Sequence, residues 1–184
     1  MTAKRLNTVN EYYFSKKLRE VAKMISEGKP VINMGIGSPD LPPHPDVVLA
    51  LKESFSYPKV HQYQSYQGIP ELRIAIAEFY LRHYHVAANP NGEILPLMGS
   101  KEGIMHISMA FLNPGDKVLI PNPGYPTYQS VTRLVEATPV FYDLSADNDW
   151  QPDLELLNQM DLSGIKLMWI NYPHMPTGAN ANQD

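Results

Sequence analysis

The sequence predicts an α/β fold: a three-layer αβα sandwich around a mainly parallel sheet, preceded by an N-terminal helical segment. Two observations carry that expectation. From residue 93 onward, short apolar segments alternate with helical patterns of about ten residues, the mark of a parallel sheet covered on both faces. One of those segments, Lys166-Leu167-Met168-Trp169-Ile170, is almost continuously apolar, as strands in the interior of such a sheet are. At 184 residues the chain is long enough to bury a core without disulfide or metal staples.

The elements follow in order. Glu11–Gly28 reads as a helix, with Phe14, Leu18, Val21 and Ile25 at spacings of three and four and Gly28 as a stop. Val31–Gly37 reads as a short strand entering a rigid loop, Ser38-Pro39-Asp40-Leu41-Pro42-Pro43-His44-Pro45, whose prolines fix φ. A short helix over Asp46–Phe55 precedes the polar, aromatic segment His61–Gly68, which has neither a helical nor a strand period. Pro70 then opens a helix running to Tyr84, with Leu72, Ile76, Phe79 and Tyr80/Leu81 as its inner side. Beyond it the expected strands are Glu93–Met98, Lys117–Pro121, Pro139–Tyr142 and Ile165–Asn171, and the expected helices Lys101–Leu112, Tyr125–Glu136 and Pro152–Met160. The last strand is followed only by Ala179–Asp184, which resembles the start of a helix. A strand so apolar needs cover, so the chain is expected to be the N-terminal part of a longer one, with a complete small domain as the alternative.

Composition narrows the function classes. With 15 Lys+Arg against 19 Asp+Glu the net charge is −4, and no basic patch of the kind that binds nucleic acid is concentrated anywhere. The absence of cysteine excludes disulfides, thiolate catalysis and cysteine zinc sites. No apolar run approaches the roughly 18 residues of a membrane span, and Met1–Asn10 has no signal-peptide apolar region. The expectation is a soluble, cytoplasmic protein with no membrane or nucleic-acid partner. Proline is in excess, 17 residues, clustered between periodic segments and therefore punctuating loops.

Several motifs bear on chemistry. Gly99-Ser100-Lys101-Glu102-Gly103 lies between a predicted strand and a predicted helix. The first N–H groups of a helix have no internal partners and its dipole favours an anion, so a phosphate could sit there, with the Ser100 hydroxyl and Lys101 adding donors. An ordinary βα turn with a serine cap accounts for the segment equally well. A P-loop is excluded because GxxxxGK[ST] is absent. Gly35-Ile36-Gly37 lacks the third glycine and the helix of a dinucleotide fingerprint; it leaves a sterically open loop, suited to a ligand carboxylate or explained by turn geometry alone. Asn122-Pro123-Gly124-Tyr125-Pro126 holds an aromatic ring at a strand's C-terminal end, where it could stack on a flat heterocycle or belong to the core. His83 and His85 point to different helix faces and read as surface residues; His106, in an apolar helix, reads as a core residue. No metal site is expected.

In this order the motifs resemble the class I/II aminotransferases, pyridoxal-phosphate enzymes of fold type I. The stretches that carry the likeness are Ile32–Asp40, Tyr63 five residues before Gly68, Pro70-Glu71-Leu72-Arg73, Gly99-Ser100-Lys101-Glu102, Asn113-Pro114-Gly115-Asp116, Pro123-Gly124-Tyr125-Pro126 and Asn171–Gly178. His61 to Arg73 and Leu95 to Ala110 are most similar to the LL-diaminopimelate aminotransferase branch. The resemblance implies the incomplete large domain of fold type I over residues 46–184, after an arm and small-domain segment over 1–45. It implies that Ser100 and Lys101 bind the cofactor phosphate, that Tyr125 stacks on the pyridine ring, and that Tyr63 reaches the phosphate in the neighbouring subunit of a homodimer with composite active sites. Gly37 would offer its N–H to the substrate carboxylate and Tyr12 would touch the substrate's far end.

The likeness implies amino-acid and 2-oxo-acid substrates. The lysine that forms the Schiff base lies, in this family, beyond the position of residue 184, so the chain alone is expected to be inactive. One residue departs from the family pattern: Met175 stands where an asparagine amide normally donates to the cofactor's phenolic oxygen, and a thioether cannot donate. That departure sustains an alternative, a non-catalytic aminotransferase-like protein that binds pyridoxal phosphate or another ligand.

Overall fold

The computed structural model describes residues 2–8, 11, 13–35 and 37–182. Contacts divide the chain into two units, Glu11–Pro96 and a second made of Met1–Asn10 with Leu97–Asp184.

The second unit is the α/β part. Helix α4 (Ser100–Phe111) leads to strand β1 (Lys117–Asn122), helix α5 (Pro126–Leu134), strand β2 (Thr138–Asp143), helix α6 (Leu154–Gln159) and strand β3 (Ile165–Met168). The three strands form a parallel sheet in the order β2-β1-β3. Register runs from Lys117↔Thr138 to Asn122↔Asp143, so β1 and β2 end side by side. Being central, β1 buries both faces: Val118 and Ile120 join a cluster with Ile104 of α4 and Tyr128 and Val131 of α5, whereas Leu119 joins Tyr142 and Leu144 opposite, packed by Leu157 of α6. That is the αβα layering expected from the alternation, and the near-continuous apolar run of β1 is its cause. Val118 and Ile120 are 0% and 2% exposed; burying side chains of this size contributes about 2 kcal/mol each. A 3-10 turn at Lys4–Thr8 packs against α5.

The first unit holds helices α1 (Tyr13–Ser26), α2 (Pro45–Ser54) and α3 (Pro70–Tyr84). Pro45 and Pro70 occupy first-turn positions, where a missing N–H costs no helical bond. Asp46 N–H donates to His44 Nδ1 at the start of α2, and α3 stops at His85, which turns the chain in the left-handed conformation. The packing differs from expectation. Of the side expected to face inward on α3, Leu72, Phe79, Tyr80 and Leu81 are exposed and Ile76 is half-buried, while Arg73 is the buried residue. The stripe of α1 is likewise unburied.

Two expected strands are not formed. Val31–Gly37 and Glu93–Met98 have no ladder among the described residues. A strand exists through its partners, and Ile32, Met34, Leu95 and Met98 are all exposed here. His106 is exposed and not a core residue, because α4 turns Gly103, Ile104 and Ser108 inward instead. No helix among the described residues is long and apolar enough to cross a membrane.

Candidate functional site

The C-terminal ends of the parallel strands are where such sheets receive ligands. The chain leaves β1 through Asn122-Pro123-Gly124-Tyr125 and enters α5 at Pro126, making Tyr125 the residue that precedes the helix. At the same end the Asn122 amide donates to Asp143 Oδ1 at 2.8 Å, tying the last residues of β1 and β2 together.

Helix α4 begins beside this segment. Gly99, at φ +108°, turns the chain into the helix, and Ser100 is its first residue. The N–H groups of Ser100 and Lys101 have no carbonyl four residues back to bond, and the dipole adds positive potential there. Glu102 turns its carboxylate back onto the Met98 N–H at 2.6 Å, satisfying a neighbouring donor in the manner of a capping box. Ser100 and Lys101 are exposed. The Lys101 ammonium lies 5.8 Å from the centroid of the Tyr125 ring, within cation–π range. The two elements singled out in the sequence therefore meet: an anion-favouring helix start and an aromatic face lie within reach of one small molecule that is both aromatic and phosphorylated. The donor set fits pyridoxal phosphate.

Tyr125 is backed by other rings. It meets Tyr128 edge to face at 5.7 Å, and Tyr128 stacks on Trp169 at 5.0 Å with planes 10° apart. The Tyr142 hydroxyl donates to the Trp169 carbonyl at 2.7 Å. Burial pushes the phenols of Tyr128 and Tyr142 above their ordinary value, so both remain protonated. This column gives Tyr125 a rigid seat, and none of its members but Tyr125 was picked out from the sequence. The available signal was Trp169 at the end of a strand of apolar residues, where an indole must cover something large.

Met175 sits in the turn after β3. Its N–H donates to Asn171 Oδ1 at 3.0 Å, and its side chain is exposed. The turn is closed by His174, whose N–H donates to the Ala179 carbonyl and whose carbonyl accepts from Gly178 N–H, both at 2.7 Å. His174 is 3% exposed; Nδ1 is 2.8 Å from Thr177 Oγ1, while Nε2 is buried without a well-aligned partner, the Pro123 carbonyl beside it. The imidazole thus seats the Met175 turn against the segment that carries Tyr125.

Burial lowers the His174 pKa below the ordinary 6.5, with the Pro123 carbonyl opposing it. An unfolded chain then binds this proton more readily than the folded one, so stability rises with pH through the window below about 6.5 and is level above it. Urea unfolding of the whole protein between about pH 5 and about pH 8 is expected to show a steeper rise for the wild type than for His174→Gln. Equal slopes would dismiss burial as the cause.

Tyr63 and Gly37 belong to the unit Glu11–Pro96. The Tyr63 ring is fully exposed, and a Cβ at Gly37 would meet nothing within 4 Å, leaving its backbone accessible. Tyr12 lies outside the described residues.

Comparison with known proteins bears on the family and the fold. A family profile described as "Aminotransferase class I and II" matches residues 29–184. An LL-diaminopimelate aminotransferase of Dehalococcoides mccartyi is 40% identical over 182 residues, which is 99% of this chain and 47% of that protein. Among solved structures, apo-BacF from Bacillus subtilis matches with a TM-score of 0.90 at 39% identity, over 99% of this chain and 47% of that one. The aspartate aminotransferase of Rhizobium meliloti matches with a TM-score of 0.91 at 29% identity, over 99% and 45%. The chain spans about half the length of the curated relatives it matches. With its parallel sheet and a profile match over most of its residues, this chain belongs to the class I and II aminotransferases, a pyridoxal-phosphate-dependent family of fold type I.

Proposed function

We propose that the whole protein is a pyridoxal-phosphate-dependent aminotransferase that moves an amino group from an amino acid to a 2-oxo acid in the cytoplasm. The observation that carries this reading is the 5.8 Å approach of Lys101 to the Tyr125 ring at the strand ends, in a chain of this family. Pyridoxal phosphate, when bound, supplies the electron sink for the amino-acid carbanion. The chain's own residues bind and orient. The Ser100 and Lys101 N–H groups, the Ser100 hydroxyl and the Lys101 ammonium hold the phosphate, and Tyr125 lies over the ring. Tyr63 serves the phosphate of the partner subunit's site in a homodimer, Gly37 offers its N–H to the substrate carboxylate, and Tyr12 contacts the substrate's far end. Residues 1–45 then form the arm and small-domain segment and 46–184 the first part of the cofactor domain.

The test is a visible spectrum of the whole protein with pyridoxal phosphate, followed by amino-group transfer from diaminopimelate, the substrate in the relatives' name, and from other amino acids. A cofactor band that amino donors discharge supports the reading. Absence of both binding and transfer would refute it.

Met175 favours a second reading, a cofactor-binding protein without transaminase activity, in which binding occurs and transfer does not. Within the first reading Met175 changes the tuning of the cofactor. Its thioether offers no hydrogen bond to the phenolic oxygen, so the oxygen holds its proton more tightly. In the whole protein the absorbance titration of the bound cofactor is expected to have a midpoint about one pH unit higher than in Met175→Asn. Coincident midpoints would show that residue 175 does not reach that oxygen.

A further inference from the structure

We propose that Arg73 is a positioning residue for the phosphate contact of Tyr63, holding the turn at the end of the Tyr63 segment in place; the proposal rests on the reading of Tyr63 given above. Arg73 is the buried residue of α3, at 7% exposure, on a helix whose apolar side chains stay largely in solvent. A charge is costly to bury unless it is fully hydrogen-bonded. Among the described residues no carboxylate forms an ion pair with it. Glu93 borders the same cleft, but its carboxylate accepts from the Asn89 N–H at 2.7 Å.

Backbone carbonyls balance the charge instead. Arg73 Nε donates to the Pro90 carbonyl at 2.8 Å, and one terminal nitrogen donates to the carbonyls of Gln67 and Gly68. The guanidinium therefore clamps the 67–68 turn to the segment around Pro90. Lysine, lacking the planar fork, cannot make both attachments at once.

What this clamp secures is the segment that presents Tyr63. Within 59–68 the other bonds are local: the Gln64 amide to the Lys59 and Gln62 carbonyls, Gln67 N–H to Ser65 Oγ, and Gly68 N–H to the Ser65 carbonyl. The rings of Tyr63 and Tyr66 are fully exposed, so packing fixes neither. Among the described residues, the polar tie reaching out of this segment is Arg73. Gly68, at φ +79°, lies so close to Pro96 that a Cβ would come within 2.8 Å of its ring. Clamp and close contact together determine where the chain leaves the Tyr63 segment.

The test is a double-mutant cycle in the whole dimeric protein, reading equilibrium binding of pyridoxal phosphate by absorbance, with pyridoxal as the phosphate-free probe. Tyr63→Phe and Arg73→Lys are each expected to weaken pyridoxal phosphate about tenfold, with the double variant no weaker than about tenfold, because both remove the same contact. Pyridoxal affinity is expected to change less than about twofold throughout. The proposal is overturned if Arg73→Lys leaves affinity unchanged, if the two losses multiply to about a hundredfold, or if pyridoxal is weakened equally. If Tyr63→Phe alone has no effect, the reading of Tyr63 fails and the proposal with it. Should Arg73→Lys not fold, Gly68→Ala displaces the same turn and must give the same pattern against Tyr63→Phe; independent losses there overturn the proposal.

Discussion

Gly124→Ala is expected to destabilise the whole protein by about 3 kcal/mol and to weaken pyridoxal phosphate binding with it. A Cβ at this position would overlap the Pro121 carbonyl oxygen and lie 3.1 Å from the carbonyl carbon. Those are backbone atoms of β1, paired with Tyr142 of β2, so they cannot give way as a flexible side chain would. The segment 122–125 must move instead, and it carries Tyr125. Gly92→Ala is the control, since a Cβ there meets nothing within 4 Å. Urea unfolding checks the stability difference and absorbance titration the affinity. A Gly124→Ala protein as stable as the Gly92→Ala control would show that residues 121–124 are not packed this tightly.

Ser100→Asp is expected to separate binding from folding. A carboxylate in the first turn of α4 complements the helix dipole, so the cofactor-free protein keeps its stability or gains about 0.5 kcal/mol. The same carboxylate meets the cofactor's phosphate at the donors both would use. Like charges about 4 Å apart in a partly screened site repel by up to about 4 kcal/mol, so affinity for pyridoxal phosphate falls a hundredfold or more. Ser100→Ala removes one hydroxyl donor without the repulsion and is expected to cost about tenfold. Affinity in Ser100→Asp equal to that in Ser100→Ala would mean that the phosphate does not sit at the start of α4.

The α/β half was legible because its period is set by local chemistry. Strands β1 and β2 and helices α4 to α6 lie within a few residues of their expected bounds, since prolines, glycines and apolar runs mark both the start and the stop of each. The 31–37 and 93–98 segments were misread because apolar character alone does not supply a ladder partner. The burial of Arg73 in place of the apolar side of α3 was hidden for a related reason. Which helix face turns inward is decided by neighbours distant in the sequence, here the carbonyls at 67, 68 and 90.

In the candidate site, Gly99–Glu102 and Tyr125 stood out because each joins an exposed strand end to a residue type with an obvious task. His174 did not, since a histidine between prolines looks like any loop residue until its burial and its place beside Pro123 are seen. Trp169 and the Asn122–Asp143 bond were missed for the same reason: their roles depend on strand neighbours that the sequence separates.

The central place of β1 governs the order in which this region can take shape during synthesis. A nascent chain that has left the ribosome only as far as Asp143 can pair β1 along one side, and the other side waits for Ile165–Met168. Trp169, the innermost ring behind Tyr125, comes later still. Contacts between residues so far apart close slowly. The end of the sheet where Tyr125 lies is therefore among the last parts of this unit to become ordered.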